Sequence, residues 1–344
     1  MNTPIKSTPQ IAAALAAGAL MLAPLGADRG PGNNPHLEIC LANESRFTTA
    51  TFSEGLTAYL TGWQDPENLV DLLNFLSPDV TTGRRFEFKR AENAQALLSE
   101  ADDVRAIGSP FKRIEMTGDT VLGKTLNKGL TMRIDHDQVA TNIPNWENRY
   151  VAYLRQRCLR NEVRRAFGLI DASVTNVAKV WNIVGTAVDP DGDLLAMLKL
   201  CADNSGIRPN RLLFSTDAWD LRRQSYQTLG TLAAGYSARL STADLAGVVR
   251  VKDVRVVEAR YQSSATAKSL LSTALRVYAY YEEPMVMIDD PSNMKRFVSP
   301  CDDGSMQRVF IERGAKYTDI TVESYSVIVA THTLGMRSIT ASSS

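Results

Sequence analysis

Three histidines and four cysteines bound the chemistry open to this chain. Cys40, Cys158, Cys201 and Cys301 lie far apart, and none forms the CxxC spacing of a zinc or redox site. That pattern fits free, mostly buried thiols in a reducing compartment. His36 is close enough to Cys40 to share a metal, but no second ligand pair accompanies them. His136 sits in a strand-like run, and no GxSxG elbow offers a nucleophile. Asp189, Asp191 and Asp193 in "DPDGD" start like a calcium loop. The match then fails, with Leu194 where glycine is needed and Leu200 where a carboxylate is needed. The stretch reads instead as a turn before a capped helix. "GDTVLGK", ending at Lys124, is too short for a phosphate-cradling loop and leads into a strand. No catalytic residue, metal site or cofactor follows from this inventory.

The densest chemistry is charge. Arg149, Arg155, Arg157, Arg160, Arg164 and Arg165 crowd one helical stretch against only Glu147 and Glu162. Such a run is either a solvated face or a surface that meets nucleic acid or an acidic neighbour. The whole chain is balanced, with 38 basic and 38 acidic residues. That balance argues against a dedicated nucleic-acid binder and leaves room for one basic face.

The elements that position these residues are mixed. At 344 residues, 44% of them hydrophobic, the chain can hold two domains or one domain with large excursions. Residues 11–27, "IAAALAAGALMLAPLGA", have the apolar core of a secretory signal. Leu25 and Met21 spoil the two nearest cleavage sites, and the run is short for a membrane span. Residues 28–46 read as an extended linker. Ser53 caps a short helix in "SEGLTAYLTGW". In "DPENLVDLLNFL" Asp65 is the expected cap, with Pro66 at the first helical position. Val80, Phe86 and Phe88 then alternate, as do Leu130, Met132 and Ile134; "FKRIEM" is a further strand signal. Residues 84–140 therefore read as a long two-stranded excursion with little core beneath it. An isolated hairpin is marginal in water, so it should pack on another subunit. Trp146, Tyr150, Leu154, Val163, Phe167 and Ile170 define the clearest helix, from Asn145 to Ile170. A helix stopping near Gly206, a strand–helix unit with Ser215 or Thr216 as cap, and later strands complete an α+β pattern without βαβ rhythm.

The order of these pieces resembles the major capsid protein of tailed double-stranded DNA bacteriophages. "LSPDVTTGRRFEF" is similar to that family's entry into an extended loop, and "LNKGLTMRIDHDQV" to the return strand. "NWENRYVAYLRQRCLRNEVRRAF" resembles its spine helix, and "RPNRLLFSTDAWDLRR" a strand–helix unit of its axial domain. "DDPSNMKRFVSP" and "VESYSVIVATHTLGMRSIT" resemble the closing segments. The resemblance implies the α+β coat fold: an N-terminal arm (1–52), N-terminal helices (53–83), an extended β-hairpin loop (84–140), a peripheral domain with the spine helix (141–188), an axial domain (189–298) and C-terminal strands returning to the peripheral domain (299–344). It implies self-assembly into hexamers and pentamers of an icosahedral head shell, with Phe86, Phe88, Lys124 and Lys128 as candidate loop contacts between subunits. The arginine face would then turn to the interior and offset packaged DNA. Other implied partners are a portal protein, a separate scaffolding protein, and a maturation protease or decoration protein. The place is the virion, assembled in the host cytoplasm, and residues 11–27 become arm rather than signal peptide. Some members cross-link the loop through a lysine–asparagine bond; Lys124 and Lys128 lie where that lysine would be, with no asparagine identified. Competing expectations are an encapsulin-type cargo shell and a secreted or periplasmic binding protein.

Overall fold

The computed structural model describes residues 51–90, 103–105, 107–111, 119–137, 144–181, 188–229 and 231–343. The arm to residue 50, His36, Cys40 and the "FKRIEM" strand signal from Lys112 onward lie outside them. In chain order the elements are α1 (Glu54–Thr61), α2 (Leu69–Leu76), β1 (Asp79–Thr81), β2 (Arg85–Arg90), β3 (Asp119–Lys124), β4 (Leu126–Asp135), α3 (Trp146–Ser173), β5 (Thr175–Val180), α4 (Pro190–Ser205), β6 (Arg211–Ser215), α5 (Thr216–Thr228), α6 (Leu232–Ala238), α7 (Thr242–Val249), β7 (Asp253–Val257), β8 (Arg260–Gln262), β9 (Lys268–Leu270), β10 (Arg276–Tyr280), β11 (Met294–Ser299), β12 (Gln307–Arg313), β13 (Tyr317–Ala330) and β14 (Arg337–Ser342).

Two sheets organise the chain. In the first, the long strand β13 carries β4 along one edge. On its other edge β12 pairs with residues 318–324 and β11 with residues 325–330. β1 adds to β11 in parallel. The second sheet has the order β5-β14-β10-β6-β7. β2–β3 and β8–β9 are separate two-stranded ribbons.

The spine helix α3 joins the two sheets. Its first half sends Val151 and Leu154 against Ile134, Ile320 and Val322 of the first sheet. Its second half sends Val163, Phe167 and Ile170 into a core with Leu213, Tyr278 and Tyr280 of the second. At about 1.5 Å per residue the helix is roughly 40 Å long, enough to reach both. The opposite face of the second sheet, with Leu212, Phe214, Val277 and Ala279, is covered by α4, α5 and α7. Burial on both faces explains why β6 and β10 are apolar almost without alternation.

Local signals set most boundaries. Ser53 accepts from the Leu56 N–H, and Ser215 from the Ala218 N–H. Gly206 stops α4 at φ 73°. The expected start of α2 differs. Asn68 adopts φ 52° and breaks the turn, so the helix begins at Leu69 rather than Pro66. Asp65 acts from outside, accepting from the N–H groups of Glu67 and Val70 at 3.0 and 2.8 Å.

Two expectations about organisation change. β4 leaves the excursion and becomes part of the first sheet, so residues 84–140 are not one unsupported hairpin. β11 already belongs to the first sheet and β14 closes the second, so a division at 298/299 does not separate the sheets.

Candidate functional site: the loop base, the spine helix and an open strand edge

β2 places Phe86 and Phe88 on one side by simple alternation. Both rings turn inward. Phe86 lies 4.2 Å and Phe88 5.6 Å, centroid to centroid, from Phe297 of β11. Both are buried, with Val80 and Phe297, in a small core of their own. Cross-strand Gly123 sits directly under the Phe86 ring, where any Cβ would collide with it. These two residues therefore fasten the loop to its own chain rather than offering a contact to another. The outward side of this ribbon shows Leu122, 76% exposed, and Lys124. Further out, Val104, Ile107 and Phe111 are exposed, and Arg105 lies over the Phe111 ring at 4.9 Å.

Lys128 also turns inward. Its Nζ donates to Glu162 Oε1 of α3 at 3.0 Å. Ser326 Oγ donates to the same oxygen at 2.8 Å. Arg296 Nη1 donates to Glu162 Oε2 at 3.3 Å, while its other nitrogens hold Asp79 in a bidentate pair. Burial alone would raise the Glu162 carboxyl. Lys128, Arg296 and the Ser326 hydroxyl outweigh it and hold the group down at about 2. One carboxylate thus ties α3 to β4, β11 and β13. In the sequence Glu162 stands out only as a counter-charge among the helix arginines.

The six arginines do not form one face. Arg149, Arg157, Arg160 and Arg164 fall within about 80° of arc at 100° per residue, whereas Arg155 lies well round the helix. Burial, with Arg296 adding repulsion, pulls the Arg155 guanidinium down to about 10. Arg165 approaches Glu162 at 3.8 Å. Arg160 pairs with Glu67 and Arg164 stacks on Tyr261 at 4.0 Å. Arg149 and Arg157 are exposed.

The outer edge of β4 is open. His136 N–H donates to Lys316 C=O at 3.0 Å, which fixes the ladder's phase. Even-numbered residues of β4 exchange bonds with β13. Asn127, Gly129, Thr131, Arg133 and Asp135 turn their N–H and C=O groups the other way. The short Thr131–Thr321 hydroxyl contact, 2.8 Å, fits the closer side chains of a non-hydrogen-bonded pair. All five are exposed, and among the described residues no backbone group pairs with that edge. Proteins usually cover or blunt such an edge.

The acidic "DPDGD" run is absorbed into structure. Asp191 forms a bidentate pair with the fully buried Arg222, at 2.6 and 2.8 Å. Asp189 accepts from the Tyr226 hydroxyl and Asp193 from the Trp181 indole. Among the described residues no group of three or more metal-binding side chains comes together. No helix among them is long and apolar enough to cross a membrane.

No protein-family model matches the chain, and no curated protein matches it. Solved structures do. A phage-related protein from Bordetella bronchiseptica RB50 superposes with a TM-score of 0.62 at 17% identity, over 84% of this chain and 96% of that one. Gordonia phage Cozz gives 0.50 at 11% identity, over 82% and 89%. The capsid structure of cyanophage P-SCSP1u is looser, 0.47 at 8% identity over 78% and 87%, and carries no weight by itself. At such identities a likeness establishes architecture alone: this chain shares the α+β architecture of the Bordetella phage-related protein.

Proposed function

We propose that this chain is the structural subunit of an icosahedral head shell, self-assembling into hexamers and pentamers around double-stranded DNA. The open edge of β4 carries this reading. A ten-residue strand with five exposed outward-facing positions is a poor surface for a solitary protomer and a good one for a lattice. The exposed Val104, Ile107, Phe111 and Leu122 point the same way. The shared architecture with the Bordetella and Gordonia phage structures supports it. In this reading the β2–β3 ribbon is the base of the extended loop. α3 and the first sheet make the peripheral domain, and the second sheet with α4 to α7 the axial domain. Stable interfaces bury about 1,200–2,000 Å², which the loop, the arm and the strand edge would share. A portal protein, a separate scaffolding protein and a maturation protease or decoration protein are the further partners of a virion shell assembled in a host cytoplasm.

Negative-stain microscopy of the purified full chain tests this. Icosahedral or tubular shells are expected. A monodisperse monomer under every salt, pH and concentration condition overturns the proposal. Shells that never hold nucleic acid favour a cargo compartment instead.

A further inference from the structure

A cleft of about 860 Å³ opens between the start of α2, the flank of α3 and the run from β7 through the β8–β9 ribbon. Its walls are charged on both sides. Glu67 is taken by Arg160, and Asp71 by Arg255 at 2.5 Å. Glu258 also lines it and is exposed. Two cations are left over against this one carboxylate. Arg260 and Lys268 are exposed, and no ion pair to either is found among the described residues.

Their placement is fixed by the ribbon. Gln262 lies directly across from Lys268, and Arg260 is two residues before Gln262, so all three share one face. Tyr261, on the alternate side, is held under Arg164 of α3. That contact docks the ribbon on α3, whose Arg160 also lines the cleft. None of the lining residues belongs to the large apolar side chains that this protein exposes. The cleft's apolar lining, Leu72, Val256 and Tyr261, is half-buried and gives an apolar anchor little to grip. A phosphate backbone needs only spaced cations and amide or hydroxyl donors.

We infer that this cleft, with Arg260 and Lys268 as its free cations, is where the protomer grips the phosphate backbone of the nucleic acid inside the shell. The inference rests on the shell reading for its partner, and its test is separable from that reading. The full-length chain is titrated into a fluorescent 20-base-pair duplex from 50 to 200 mM NaCl, reading anisotropy. In R260S/K268S the slope of log affinity against log salt falls by about two, near 0.9 per lost phosphate contact, and affinity at 100 mM salt falls at least about tenfold. R260K/K268R keeps the wild-type slope. K199S/R239S removes the same charge from exposed positions elsewhere and leaves the slope unchanged. An unchanged slope in R260S/K268S overturns the inference, as does an equal loss in K199S/R239S. Dependence of poly-glutamate binding, but not duplex binding, on the pair also overturns it and points to an acidic protein segment. Microscopy of R260S/K268S keeps the two ideas apart: shells that form normally with an unchanged DNA slope refute the cleft and leave the shell reading standing.

Discussion

Replacing Glu162 by glutamine should loosen the whole protomer, because that carboxylate is the one anion between Lys128 and Arg296 in a nearly dry site. The side chains of Lys128, Glu162 and Arg296 are 12%, 8% and 12% exposed. The group's ordinary value is 4.5 and the fold holds it at about 2. That difference corresponds to about 3 kcal/mol at neutral pH. The sign follows from the direction. A carboxyl depressed on folding adds its full stability above the unfolded value, and the contribution drains away as pH falls from about 4.5 through about 2. Urea unfolding of full-length chain, kept too dilute to associate, reads both effects. At pH 7 E162Q should lose about 3 kcal/mol, since a neutral amide gives up the attraction of Lys128 and Arg296 that holds the carboxyl down. Between pH 5 and pH 2 the wild type should lose about 3 kcal/mol more than E162Q. The double variant K128M/E162Q should regain much of the loss, since the buried lysine charge is removed together with its carboxylate; Arg296 keeps Asp79. A loss under about 1 kcal/mol in E162Q at pH 7, or parallel acid profiles, refutes the account of Glu162 as the tie between helix and sheet.

F88A should cost about 3–5 kcal/mol, because it empties a site packed against Phe297; a melting temperature within 1 °C of wild type would contradict that. T131P removes an N–H that faces away from β13, whereas M132P removes one that bonds to it. T131P should keep a cooperative melt and lose shell formation, and M132P should lose the melt. Equal behaviour of the two would show that the ladder phase is misassigned. Burial pushes the thiols of Cys158, Cys201 and Cys301 up to about 11, 12 and 11. Native protein treated with iodoacetamide at pH 7.5 should therefore leave all three unmodified by peptide mass mapping, and denatured protein should modify all three.

The helices that carry large apolar side chains at helical spacing were legible, and so were their stops. α3 follows from the stripe from Trp146 to Ile170, and Gly206 marks the end of α4. α6 and α7 were not legible in the same way, because at 7 and 8 residues neither is long enough to repeat an apolar stripe. The signal that was there is Ser241 followed three residues later by Asp244, a closed capping box. The alternation in β2 and β4 was readable, but alternation does not say what a face meets. Phe86 finds Phe297 and Leu130 lies opposite Val322 across more than half the length of the chain. The arginine run misled for a simpler reason. A count of charges ignores angle, and turning the helix at 100° per residue already sets Arg155 apart.

Both sheets are closed late. β13 is the strand that β4, β11 and β12 all need, and β14 stands between β5 and β10. Before residue 317 leaves the ribosome, β4 has no mate in its sheet; before residue 337, β5 has none. Pairings that span more than 150 residues form slowly, because loop closure must come first. A nascent or truncated chain therefore cannot present a finished β4 edge to a neighbour. In the proposed shell the topology acts as a clock: a subunit becomes fit to join only once its synthesis has run past both strands, so unfinished copies are kept out without any separate inspection.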